Sequence, residues 1–135
     1  MKKSLLTKNL LLGFLSWLIP YLFSFLFFRP GGELVVAYAT FKSAVTVVGV
    51  GTGCYLMYRY FKYVETDFVR NGVIVGVSWM VLNLVFDAIF LMPMAKLDFG
   101  EYFMTIGLSY LAIPPLGILV GYVLERGRTL TSPRE

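Results

Sequence analysis

The sequence predicts an all-α membrane protein with four transmembrane helices in two hairpins. Two observations lead there. The first is composition. Of 135 residues, 58% are hydrophobic and 15% charged, whereas soluble domains carry about 45–50% apolar and about 25% charged residues. Mean hydropathy is +0.74, and a soluble chain this short could not bury so much apolar surface in one core. The second is pattern. Charges fall in short clusters between four apolar runs, each close to the about 20 residues that cross a bilayer.

The runs occupy residues 10–28, 34–58, 72–94 and 102–124 and form a single domain, 1–135. The first is uncharged. Lys2, Lys3 and Lys8 precede it as in a signal peptide, but the run is long and its far end is Phe-rich, without an A-x-A site, so an uncleaved helix is expected. Residues 29–33, Arg-Pro-Gly-Gly-Glu, make a turn. The second run is interrupted only by Lys42, and polar residues 59–71 follow. The third carries Asp87 as its one charge, a short loop spans 96–101, and the fourth run is uncharged. The polar tail, 125–135, is expected to be flexible.

Short-loop lysines and arginines set orientation. Lys2, Lys3, Lys8, Arg59, Lys62, Arg70, Arg126, Arg128 and Arg134 flank one side; Arg29 and Lys96 flank the other. Both termini are therefore expected in the cytoplasm, in a multi-pass protein of the inner (cytoplasmic) membrane. Tyr55, Tyr58, Tyr60 and Tyr63 suit an inner aromatic belt, and Tyr102 and Phe103 an outer one.

Small residues recur at helical spacing: Gly49 and Gly53 in the second run, Gly72 and Gly76 in the third, Gly107, Gly117 and Gly121 in the fourth. Such stripes let membrane helices approach closely. They serve packing within the chain, or equally a homodimer seam or another membrane protein. Pro20, Pro114 and Pro115 are expected to kink their helices, each removing a backbone donor. A parallel internal repeat is suggested by Ser16-Trp17 followed by Pro20, Ser24 and Pro30, against Ser78-Trp79 followed by Asn83, Asp87 and Pro93.

A charge within a span costs about 2.5–3.5 kcal/mol on insertion scales, which makes it the default functional candidate. With these spans, Lys42 and Asp87 reach similar depths in the outer half of the bilayer. The expected intramembrane cluster is a Lys42–Asp87 pair with Asn83 one turn from Asp87, and Tyr38 and Thr46 flanking Lys42. It would either fix which helix faces meet or exchange a proton or ligand.

Other chemistry has little to stand on. The chain has no His and a single Cys, Cys54, which leaves no histidine base or intramolecular disulfide and argues against zinc. Cys54 reads as a small apolar packing residue. Basic residues form no stripe with interleaved aromatics, so no nucleic-acid partner is expected. The basic, aromatic loop 59–71 suits contact with anionic lipid. No catalytic residue, metal or cofactor is expected.

Length and helix number are similar to those of small multidrug-resistance transporters, which work as antiparallel dimers around a carboxylate in the first helix. The first run here has none, and the charge bias opposes dual insertion. The stretch 78–122 resembles small four-helix membrane proteins of bacteria and archaea. Ser78, Trp79, Asn83, Asp87 and Pro93, then Tyr102, Gly107-Leu108, Tyr110-Leu111 and Ile113-Pro114, carry the likeness. It implies the fold and no activity. The expected function is thus a non-catalytic structural or accessory protein that binds lipid or a partner. The alternative is an oligomeric transporter or channel subunit built around Lys42 and Asp87.

Overall fold

The computed structural model describes residues 3–131. Helix α1 (Lys3–Ser24) ends in a 3-10 turn, Phe25–Phe27. A tight loop follows in which Gly32, at φ +83°, turns the chain, and an isolated antiparallel bridge joins Phe28 to Leu34. Helix α2 spans Tyr38–Phe61 and α3 spans Phe68–Phe86, continued by a π turn (Asp87–Leu91) and a short α4 (Met92–Ala95). Asp98 opens α5 (Phe99–Thr105), its side chain accepting the Glu101 N–H at 2.8 Å. A 3-10 segment, Gly107–Ala112, leads into α6 (Ile113–Thr131).

Three helical stretches are long and apolar enough to cross a membrane: Lys3–Phe27, Phe68–Ala95 and Gly107–Leu130. Their surroundings invert the soluble pattern. Leu26, Val47, Phe99 and Met104 are among many exposed apolar side chains, while Asn9, Ser16, Asn83 and Asp87 are buried. Apolar groups outside and hydrogen-bonded polar groups inside are what a hydrocarbon solvent selects.

Glycine sets the closest approach. A Cβ on Gly117 would lie 2.5 Å from the Gly72 carbonyl oxygen, one on Gly76 would lie 2.7 Å from Pro114 Cα, and one on Gly121 would strike the Phe68 carbonyl. Helices α3 and α6 thus cross antiparallel with their backbones in contact at these glycines. Gly107 packs against Phe103. Gly49 meets the Pro20 ring at an ordinary 3.7 Å, but Gly53 has nothing within 4 Å, so the α2 stripe is not an intrachain seam along its length. Gly13 of α1 lies under the Trp79 indole, a close approach the spacing did not mark.

Helices α1 and α3 run parallel. Trp17 bonds to Asp87 and Trp79 to Asn9, both pairs 70 residues apart. A repeat about an axis along the bilayer normal would instead level Trp17 with Trp79, an offset of 79 − 17 = 62. The eight-residue difference, about 12 Å along a helix, overturns the repeat.

The prolines act differently from one another. Pro20 lies within α1, which continues to Ser24. Pro114 and Pro115 fall in the first turn of α6, where the 3-10 segment gives way to α helix and backbone N–H groups of an α-helix lack helical partners in any case. Ahead of them the fourth apolar run is broken, with Ile106 at φ −125° between α5 and the 3-10 segment. At the other end α6 continues through much of the expected flexible tail; residues 132–135 lie outside the described residues. Tyr60 and Tyr102 are buried rather than set in an interfacial belt, and Cys54 is exposed rather than packed.

The apolar core lies where loop 62–67 joins α2 to α3. Leu56, Met57, Tyr60, Phe61 and Val64 pack there against Val75 and Trp79, backed by Leu5, Leu12, Phe68 and Leu116. Tyr60 donates to Asn71 Oδ1 at 3.2 Å, and the Asn71 amide donates to the Thr66 and Asp67 carbonyls, closing the loop. Away from this end α2 is held mainly along α1, with Phe41 edge-on to Phe27 and Phe28 at 5.6 and 5.5 Å.

Candidate functional site

The polar interior is built along the α1–α3 seam. At its lower level the Trp79 indole N–H donates to Asn9 Oδ1 at 2.8 Å and lies 3.0 Å from the Asn9 carbonyl. The Asn9 amide donates to Ser78 Oγ at 2.9 Å. One turn higher, the Asn83 amide donates to the Trp79 carbonyl (2.8 Å) and to Ser16 Oγ (3.2 Å), while Ser16 donates back to the Gly13 carbonyl at 2.7 Å.

Asp87 heads this ladder and is 2% exposed. The Trp17 indole donates to Oδ1 at 2.7 Å; the Tyr102 and Tyr110 hydroxyls donate to Oδ2 at 2.8 and 2.7 Å. Donors therefore arrive from α1, α5 and the 3-10 segment, and one carboxylate fastens three parts of the chain to α3. Aromatic rings cover it: Trp17 stacks on Tyr21 at 4.6 Å and contacts Phe86 and Phe90 at 5.0 and 5.4 Å. The π turn begins at Asp87, with the Met92 N–H reaching back five residues to the Asp87 carbonyl. Pro93, lacking an N–H, follows at once.

The sequence-predicted cluster divides. Asp87 and Asn83 sit in the buried ladder, but Lys42 is not among the partners of Asp87; it is exposed on α2, with Tyr38 and Thr46 also exposed. The Thr46 hydroxyl bonds the Lys42 carbonyl, its own helix, at 2.8 Å. The physical reason is twofold. Residues 33–37 are not helical, so α2 begins at Tyr38 and Lys42 lies only one turn inside it. The space beside the carboxylate is filled by Trp17, Tyr102 and Tyr110. Among the described residues no buried side-chain nitrogen or oxygen lacks a hydrogen-bond partner.

Sequence reasoning missed Asn9, Trp17, Tyr102 and Tyr110 as members of the site. One signal was present. Asn9 precedes Trp17 by eight residues, and Asp87 follows Trp79 by eight. Two parallel helices staggered by that amount exchange indole donors reciprocally, which is the arrangement found.

Chemically, the cluster can hold an anionic or neutral carboxyl group in the interior and clamp the broken fourth apolar run against α1 and α3. Set against protein-family models, curated proteins and solved structures, the chain matches none of them.

Proposed function

We propose that this is a four-span, non-catalytic membrane protein of structural or accessory role. Its intramembrane polar groups lock helices together, and its apolar faces and basic end meet lipid or a partner protein. The observation that carries this reading is the Asp87 carboxylate, whose two oxygens are taken by three internal donors at 2.7–2.8 Å. A transport or catalytic carboxylate needs access to water or substrate; this one is enclosed.

The parallel register of α1 and α3 supports a fourth crossing. If both cross in the same direction, the chain returns between them, and α2, at 24 residues, is about 36 Å long. Lys3, Lys8, Lys62 and Arg70 would then mark the cytoplasmic side, together with both termini. Gly51 and Gly53, with nothing within 4 Å, leave the outer face of α2 open to lipid, a partner helix or a second copy.

A second reading, an oligomeric transporter or channel subunit, draws on the π turn at Asp87 and the break before α6, since such irregularities gather at functional sites. Water access separates the two. On a Cys54→Ala background, Ser16→Cys, Asn83→Cys and Lys42→Cys are treated with a membrane-impermeant maleimide from each side. The structural reading expects Lys42→Cys to react and the other two to stay protected. Labelling at position 16 or 83 would favour a pathway.

A further inference from the structure

We propose that the basic end of the bundle binds one anionic phospholipid, its phosphate in a polar cleft and an acyl chain in an adjoining apolar groove. The inference rests on reading that end as the cytoplasmic membrane boundary. Two concavities flank loop 62–67. One, of about 560 Å³, lies between the start of α1, the loop and the start of α3; Lys8, Lys62 and Arg70 line it from three elements, beside Tyr63 and Asn71. The Lys62 ammonium lies 5.1 Å from the Tyr58 ring centroid, on the side of the second concavity. The Lys8 ammonium stands 3.4 Å from the Tyr63 ring centroid, which holds it at the cleft. Glu65 and Asp67 line it as well, leaving a formal excess of one positive charge (three cations, two acids).

The other, of about 400 Å³, opens between α2 and α6 and is walled by Met57, Phe61, Phe68, Leu116 and Val120. Lys62 lines both. In hydrocarbon an apolar groove between two spans has no use for water, whereas an acyl chain fills it and removes the void. A diester phosphate at Lys62 suits an ammonium that reaches the boundary along its own alkyl stem. Cleft, groove and shared lysine match the head, tail and junction of an amphiphile, and the surplus positive charge selects an anionic head over a zwitterionic one.

The test uses the full chain in dodecyl maltoside, titrated with dioleoyl phosphatidylglycerol, dioleoyl phosphatidylcholine or inorganic phosphate, reading thermal unfolding and lipid retention by native mass spectrometry. Phosphatidylglycerol is expected to raise the unfolding temperature and to remain bound one per chain; the other two should do neither. Each of Lys8→Gln, Lys62→Gln and Arg70→Gln should weaken the response about fivefold, and the triple variant on the order of 100-fold. Val120→Trp, which fills the groove, should abolish one-to-one retention with the cations intact. Lys62→Arg, which keeps the charge, should retain binding and shows that the cleft still folds.

Equal responses to the two phospholipids, or a full effect from inorganic phosphate, would overturn the site. So would a triple variant that binds like the parent. None of these outcomes bears on the enclosure of Asp87, which thiol labelling reads separately.

Discussion

Tyr102 and Tyr110 both donate to the same oxygen of Asp87, and that sharing has a measurable consequence. Replacing either by Phe removes a hydroxyl while keeping the ring, so no sizeable cavity opens. Asp87 Oδ2 then retains the other donor, at 2.7 or 2.8 Å. Interhelical hydrogen bonds in membranes average about 0.6 kcal/mol and reach about 1.7, while bonds to charged groups in proteins run about 1.5–3 kcal/mol. Each single variant should therefore lose about 1–2 kcal/mol. The double variant strands Oδ2 of a residue only 2% exposed, adding a desolvation cost of about 1–3 kcal/mol. The combined loss should exceed the sum of the singles by that amount. Unfolding of the four proteins in mixed dodecyl maltoside and dodecyl sulfate micelles, followed by far-UV circular dichroism, closes the cycle. Losses that add to within about 0.5 kcal/mol would refute shared dependence on the two donors.

Three further outcomes follow from the packing. Gly72→Ala or Gly117→Ala should cost several kcal/mol, because the methyl meets backbone rather than a movable side chain; Gly53→Ala, with nothing within 4 Å, should be neutral or slightly stabilising in the same assay. Trp79→Phe should lose about 1–2 kcal/mol by stripping Asn9 of its indole donor. Asn9→Leu should lose at least as much by removing both the Oδ1 acceptor of the indole, which keeps only the residue-9 carbonyl at 3.0 Å, and the amide donor to Ser78. Lys42→Met should change stability by less than about 0.5 kcal/mol, as for exposed positions away from special features; a loss comparable to that of Asp87→Leu would restore the charge pair.

Composition and spacing made three helices long and apolar enough to cross a membrane legible, along with the small residues of the α3–α6 seam. Apolar run length reads directly as helix length in lipid, and Gly72, Gly76, Gly117 and Gly121 sit where backbones touch. Asp87 and Asn83 were legible for a similar reason: a polar residue inside an apolar run must find a partner in the fold. The partner was not. Depth alone levels Lys42 with Asp87, but depth does not say which helix stands beside which, nor that α2 starts only at Tyr38.

That choice belongs to the tertiary structure. Tyr102 reads in the sequence as an interfacial aromatic, and nothing there gives Trp17 or Tyr110 a polar partner, since each carries a large ring and one polar atom. Only the parallel register of α1 on α3, and the fold-back of the broken fourth run, aim those atoms at one carboxylate. By itself, then, the sequence determined that the chain is helical, that it belongs in lipid, and that Asp87 must be satisfied inside the fold. The tertiary structure decided what satisfies it, since hydrogen bonds require an approach within about 3 Å, and helix order and stagger, not sequence spacing, bring residues 15, 23 and 70 positions apart to that distance.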